Sequence, residues 1–392
     1  MNVLFMMPLW EAASEIWMQR MMISLTGDLR AVAVNDTQGN SQWNNNIKAF
    51  SLNPVAKPIR YFSRMMDIGG FSLLKTAPKA EKILKAIITK SSISHILCQY
   101  GTFATNYMKV WRETELPLFI HFHGYDVFFD LRLADQPEKK FHSNEYLTCI
   151  KELEKRAIFI AGSQFLKSQL VGAGISADRV VIKYYGVPVP EKNRIHEKRT
   201  DIQILHLGRL VDFKSPDRTI MAFEIAKSRG LNGHLVMVGD GPLKTTCELL
   251  RFRSPYKDSI RMLNSISPEE AQLLYSESDI FTQHNITGEI TRQSEGFGVS
   301  IVEAMASGLP IVATRNGGVL ETVVDGETGI LNFPGDIEAQ ANAFLQLAHN
   351  PDLRRQMGEA GRNRVSTFFN PQQEAEQLQR ILNFSTKKTQ NS

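Results

Sequence analysis

Two glutamates, Glu295 and Glu303, flank a Gly-Phe-Gly turn in the stretch SEGFGVSIVEAMASGLPIVA, residues 294–313. The turn leads into a helix start, and Gly308 and Pro310 punctuate the end of that helix before an apolar strand. The first amides of a helix are unpaired and its dipole is positive there, so a helix start can hold an anion. Glu303 lies among Ile301, Val302, Ala304 and Met305, where an unpaired charge is costly. Carboxylates grip hydroxyls, and a helix start grips phosphate. A ligand with both, such as a nucleotide sugar, suits the pattern.

Three further loops follow apolar runs. Gly208-Arg209-Leu210-Val211-Asp212-Phe213-Lys214 places two cations around a turn. Arg209 can neutralise a diphosphate with a planar fork and Lys214 as a point charge; read alone, the segment equally describes two solvated surface cations. Val238-Gly239-Asp240-Gly241-Pro242 repeats the order strand, glycine turn, helix start. Its glycines let backbone approach a ligand, or make a plain tight turn with Asp240 as a cap. His121-Phe122-His123-Gly124-Tyr125-Asp126 ends an apolar run, and strand alternation sends His121 and His123 to one side. Either histidine can be a hydrogen-bonded core residue; Gly124 after His123 favours a loop, where function concentrates.

These loops need a scaffold. At 392 residues the chain is too long for one small core, so two domains are expected. Hydrophobic content of 43% and charged content of 22% describe an ordinary globular protein. Residues 1–190 hold 22 Lys and Arg against 16 Asp and Glu; the rest hold 23 against 25, so the basic excess sits in the first half. Cys98, Cys149 and Cys247 are widely spaced with no CxxC pair, which argues against a disulfide scaffold or a structural zinc site and favours a reducing compartment. No run of about 18 apolar residues is long enough to span a membrane. The opening NVLFMMP is short and is followed by Trp10, Glu11 and Glu15, so it reads as a buried strand and not as a signal peptide.

Short apolar runs alternate with amphipathic stretches, the α/β pattern. Strands are expected at 2–7, 30–34, 93–99, 118–122, 158–161 and 180–183, with helices at 77–89 and 145–156. PVPEKNRIHEKRT, residues 188–200, is polar with two prolines and reads as a linker. Strands resume at 202–207, 234–238, 260–263, 280–283, 311–314 and 330–332. Asn370-Pro371 caps a last helix, 372–382. Two doubly wound domains in series result, and such sheets bind ligands outside the carboxyl ends of their strands.

In this order and spacing, the loops resemble the retaining glycosyltransferases of family four. The resemblance is strongest from Leu205 to Pro334, where GRLVDFK, VGDGPL, the two glutamates, EAMASGLPIVAT and GGVLETVVDGETGIL stand, and HFHGYD matches the histidine loop of the acceptor domain. It implies an α/β GT-B architecture of two Rossmann-like domains across a cleft: residues 1–190 for the acceptor, 201–369 for the donor, and a helix within 370–385 packing back on the first. It implies transfer of a hexosyl-type sugar, with retention, from a UDP- or GDP-linked donor to a glycan or lipid-linked acceptor in cell-surface polysaccharide synthesis. Neither a metal nor a cofactor other than the nucleotide-sugar co-substrate is implied. The protein would be cytoplasmic, at most peripheral on the inner membrane face.

By the same resemblance, Arg209 and Lys214 hold the donor pyrophosphate and Glu303 the ribose. Glu295 holds sugar hydroxyls beside the Gly296, Phe297 and Gly298 amides. Gly208, Gly239 and Gly241 complete the donor side, and His123, Gly124 and Asp126 form the acceptor side. Catalysis would rest on His123, Arg209, Lys214 and Glu295. Three departures stand out: Ser215 where the family often has Gly, Tyr185 where it often has Asn, and Pro8-Leu9-Trp10-Glu11 in place of a Gly-Gly loop, resembling the subgroup with a Ser-Glu pair, here Ser14-Glu15.

A basic stretch from Lys57 to Lys90, interleaved with Phe62, Met65, Met66, Phe71, Leu73 and Leu74, suits docking on anionic lipid, at about 1 kcal/mol per well-placed cation, or equally a solvated helix beside a core. A nucleotide-sugar epimerase shares the implied architecture, and a non-catalytic partner subunit is a third reading. No nucleic-acid motif accompanies the basic stretch.

Overall fold

The computed structural model describes residues 1–9, 16–25, 27–36, 48–52, 78–127, 144–191 and 201–389. The Ser14-Glu15 pair, residues 57–77 of the basic stretch and residues 192–200 of the expected linker lie outside them.

The first half forms a parallel sheet from β1 (Val3–Leu9), β2 (Leu29–Asp36), β3 (Lys48–Ser51), β4 (His95–Gln99), β5 (Leu118–Phe122), β6 (Ala157–Ala161) and β7 (Val180–Ile182), in the order β3-β2-β1-β4-β5-β6-β7. The second half forms another from β8 (Ile202–Leu207), β9 (Gly233–Val238), β10 (Ile260–Leu263), β11 (Ile280–Thr282), β12 (Ile311–Thr314) and β13 (Gly329–Asn332), in the order β10-β9-β8-β11-β12-β13. Every residue of β4, β5, β11 and β12 is buried. Strands covered on both faces need continuous apolar runs, which is why these segments show runs and not alternation. Edge strand β3, with the sequence KAFS, has no such run and was not anticipated.

In each sheet the strand order reverses beside the first strand, between β1 and β4 and between β8 and β11. Loops diverge there and leave a crevice. Gly239 sets how closely the two loops on the donor side approach. Its φ is +146°, and a β-carbon on it would lie 2.0 Å from the Gly208 carbonyl oxygen. Only glycine brings the turn after β9 onto the turn after β8.

The halves share one core. Tyr184 stacks on Phe297 at 5.8 Å, and Phe297 meets Phe369 edge-on at 5.4 Å. Polar ties reinforce it. The hydroxyl of Ser163 donates to the Gly296 carbonyl at 2.6 Å. The carboxylate of Glu321 accepts the Gln164 and Phe165 amides at 2.8 and 2.7 Å, satisfying free donors at the start of helix Gln164–Gly172. The last helix, Pro371–Thr389, begins at Asn370, whose side chain accepts the Gln373 amide at 2.9 Å. That helix packs against helix Ile16–Ser24 of the first half. Glu374 on the last helix pairs with the fully buried Lys183, which follows β7, and its other oxygen accepts the Gly186 amide at 3.0 Å.

Candidate active site

A cleft of about 450 Å³ opens between the carboxyl ends of the two sheets. Gly208, Arg209, Lys214, Gly239, Glu295, Gly296, Phe297, Gly298 and Glu303 line one wall; His123 and Gly124 line the other. Gly241 is not among the lining residues: it seats the turn after β9 against Leu210, whose carbonyl oxygen lies 2.5 Å from where its β-carbon would be.

The loop after β8 closes in a short 3₁₀ turn, Asp212–Lys214, followed by Ser215 at φ +37°. A β-carbon in this left-handed region costs about 1–2 kcal/mol. Here the Ser215 hydroxyl donates to the Asp212 carbonyl at 2.9 Å. The Asp212 carboxylate in turn holds the 284–292 loop, accepting from the Ile290 and Thr291 amides at 3.1 and 2.9 Å and the Thr291 hydroxyl at 2.8 Å.

Lys214 leaves this turn buried. Its ammonium donates to Glu295 at 2.5 Å and Gln283 at 3.3 Å. The two residues expected on phosphate and on sugar therefore meet each other. Burial works to raise the Glu295 pKa, but the charges of Lys214 and Arg209 outweigh it and hold the carboxyl below its usual range. The second Glu295 oxygen accepts the Gly298 amide at 3.1 Å. Gly298, at φ +84°, starts helix Val299–Ala306. Arg209 lies exposed, its guanidinium 5.9 Å from the Phe213 ring.

Glu303 is held from both halves. Arg20, on helix Ile16–Ser24, donates to one oxygen at 3.1 Å, and the Tyr275 hydroxyl donates to the other at 3.3 Å. Neither partner was singled out from the sequence. A lone charged residue in the mostly apolar IWMQRMMIS was the available signal for Arg20.

The opposite wall is an aromatic and imidazole cluster. Gln99 Oε1 lies 3.2 Å from His121 Nδ1 and 3.0 Å from His123 Nε2. An amide oxygen only accepts, so both of those nitrogens carry protons. His123 Nδ1 is then a bare acceptor, and the Tyr185 hydroxyl donates to it at 2.7 Å. Burial first, and then the charge of Lys183, keep His123 neutral. Both ring nitrogens of His123 are thus engaged within the protein, and its carbonyl oxygen faces the donor loop, 3.4 Å from the β-carbon position of Gly296. Tyr185 thereby has a definite place, sealing the imidazole from behind. Tyr100 follows β4 at φ +68°, a conformation costing a non-glycine residue about 1–3 kcal/mol.

Asp126, expected on the acceptor side, is fully buried and does not line the cleft. It accepts the Gly101, His123 and Gly124 amides at 3.0, 2.9 and 3.0 Å, and so shapes the histidine loop. Burial lifts its pKa from 3.8 to about 6, despite those amides. An acid raised on folding contributes stability that is whole below its unfolded pKa and is lost as pH rises through the folded one. Between pH 4 and 7, Asp126 should remove roughly 3 kcal/mol. Urea unfolding at several pH values should show this loss in the wild type and not in Asp126→Asn; parallel curves for the two proteins would exclude it.

Two doubly wound sheets meeting at such a cleft define the GT-B class of fold. Residues 189–364 match the sequence model of the family described as glycosyl transferases group 1. The chain is 26% identical over 258 residues to the capsular polysaccharide biosynthesis glycosyltransferase CapM of Staphylococcus aureus, covering 61% of this chain and 66% of the relative. It is 32% identical over 160 residues to a GDP-mannose-dependent phosphatidylinositol monomannoside mannosyltransferase of Mycolicibacterium smegmatis, covering 41% and 42%. It thus spans less than two thirds of each relative's length. The crystal structure of Anabaena HepE in complex with UDP superposes with a TM-score of 0.74 at 18% identity, covering 98% of this chain and 100% of HepE, a likeness of fold. Among the described residues, no helix is long and apolar enough to cross a membrane.

Proposed function

We propose that this protein is a retaining, metal-independent glycosyltransferase. It moves a hexosyl-type sugar from a nucleotide-diphosphate sugar to a glycan or glycolipid acceptor in cell-surface polysaccharide synthesis. The observation that carries the reading is the cluster of Arg209, Lys214, Glu295 and the Gly298 amide on one wall of the cleft. The glycosyltransferase relatives support it, as do the UDP bound by HepE and the GDP-mannose dependence of the mannosyltransferase, which leave either nucleotide as the donor carrier.

Arg209 and the Lys214 ammonium face the departing diphosphate. The bond between anomeric carbon and phosphate oxygen breaks, and its electron pair leaves on phosphate. The acceptor oxygen forms the new bond on the same face, and its proton passes to a phosphate oxygen. Fixed positive charge meets the charge that develops, which is usually the largest catalytic term. Glu303 takes the ribose hydroxyls and Glu295 the sugar hydroxyls, each reorienting from its present partner. With both imidazole nitrogens occupied, His123 presents its carbonyl oxygen to the transferred sugar.

A thermal-shift panel of UDP- and GDP-sugars tests the donor. A ligand at about 100 times its dissociation constant adds roughly 2.7 kcal/mol. Product analysis with the stabilising donor, with and without glycan acceptors and with EDTA, then reads transfer, anomeric configuration and metal dependence. Conversion of the donor to an epimer without acceptor would replace this reading, and stabilisation by no nucleotide sugar would end it.

A further inference from the structure

An ion pair crosses the cleft. Arg20 Nη2, on helix Ile16–Ser24 of the first half, donates to Glu303 Oε1 at 3.1 Å, on helix Val299–Ala306 of the second, and both residues line the cleft. Their side chains are 22% and 21% exposed. The other Glu303 oxygen is taken by the Tyr275 hydroxyl at 3.3 Å. Arg20 Nη1 is buried and meets no acceptor among the described residues. A guanidinium cannot shed its proton, and a buried donor left unpaired is costly. The backbone beneath it is fixed, because Trp17, Met18, Met21 and Met22 are buried and the helix packs against the last helix. Only the Arg20 side chain is therefore free to change partner.

We infer that Arg20 is a donor-binding residue supplied by the first half, and that it passes from Glu303 to the diphosphate when a nucleotide sugar enters. The inference rests on the glycosyltransferase reading and adds a phosphate ligand to its site. Charge drives the exchange. Ribose hydroxyls donate to the carboxylate oxygens that the guanidinium now holds, so they can displace it from Glu303. Hydroxyls carry no charge, and the guanidinium would then stand mostly buried without an anion, which is strongly unfavourable. The diphosphate arrives on the same molecule, one sugar ring away from those hydroxyls. Its oxygens suit the planar fork of arginine and can take both the released Nη2 and the unpaired Nη1. Among the described lining residues, Arg20, Arg209 and Lys214 are balanced by Asp240, Glu295 and Glu303. A diphosphate is therefore held best when cations leave their carboxylates for it. The tie between the halves through Arg20 and Glu303 is replaced by one that runs through the donor.

The test is calorimetric titration of the full chain with UDP and with GDP, in wild type, Glu303→Gln, and Glu303→Gln combined with Arg20→Met. Glu303→Gln removes the carboxylate, so in that background Arg20 acts on the ligand alone. There Arg20→Met should weaken the nucleotide that wild type binds roughly ten- to a hundredfold, the worth of a charge-assisted hydrogen bond. Arg20→Lys in the same background keeps the charge and should recover part of the loss. Arg20→Gln carries the same comparison if the methionine variant does not fold. The ³¹P resonances of the bound nucleotide should also move between Glu303→Gln and the double variant. Equal affinities of those two proteins would overturn the inference and leave Arg20 a holder of Glu303 only. A lost affinity with an unmoved ³¹P spectrum overturns it too, since the contact would then lie off the phosphates. A wild type that binds neither UDP nor GDP would instead end the glycosyltransferase reading itself.

Discussion

Turnover of Lys214→Ala is expected to fall about a hundred- to thousand-fold, the usual cost of about 3–4 kcal/mol for one lost contact to developing charge. Lys214 stands where the diphosphate charge would grow, and its ammonium already rests against Glu295 and Gln283. Removing it also leaves the Glu295 carboxylate nearly buried, with Arg209 and the Phe297 and Gly298 amides as support. Breaking a buried pair from one side costs about 3–5 kcal/mol, and the slight exposure of this pair points to the lower end.

Stability and turnover can be separated. Glu295 has a depressed folded pKa, so its contribution is present at neutral pH and is lost as pH falls through that pKa. In Lys214→Ala the contribution shrinks, and the variant's deficit relative to wild type should narrow in acid. Activity measured well below the melting temperature reads the catalytic loss alone. Turnover within tenfold of wild type there would take Lys214 out of the reaction. Arg209→Ala should lose turnover on the same scale while leaving the Lys214–Glu295 pair in place.

Glu374→Ala should destabilise the full chain by about 3–5 kcal/mol in urea unfolding at pH 7. Lys183 is 0% exposed and Glu374 3%, so the alanine leaves an ammonium in the core and the Gly186 amide without its acceptor. Burial already loosens the proton on Lys183, with Glu374 opposing that loss. Without Glu374 the folded protein favours neutral lysine more strongly. A base whose pKa is lowered on folding costs stability below its unfolded pKa and regains it as pH rises. The deficit of Glu374→Ala should therefore shrink between pH 7 and 10. A double variant, Lys183→Met with Glu374→Leu, should recover most of the loss, since a well-packed apolar pair often replaces a buried ion pair at little cost. A loss under 1 kcal/mol for Glu374→Ala, flat with pH, would show that the pair does not hold the last helix to the first half.

Most of the scaffold was legible in the chain. Expected strands at 118–122, 202–207, 260–263 and 311–314 coincide with β5, β8, β10 and β12, and most others differ by one or two residues. A doubly buried strand must be an unbroken apolar run, and the turn after it must contain the residues its backbone angles require, so both signals are local. Edge strand β3 escaped because one of its sides has no neighbour to demand such a run. The candidate loops were legible for the same local reason. Gly239, Gly298 and Gly308 sit at positive φ, and Ser215 adopts the left-handed conformation that favours glycine.

What the amino-acid order determined alone was the set of elements, the glycine-shaped loops and the residue types at the cleft. Only the tertiary structure decided who meets whom. Lys214 meets Glu295 across 81 residues, Arg20 meets Glu303 across 283, and Lys183 meets Glu374 across 191. The fold turned Asp126 from the cleft into a loop anchor and closed both nitrogens of His123. Strand and turn preferences act over a few residues and can be read along the chain. Ion pairing and burial depend on distances in space, which do not exist until both sheets have formed and packed.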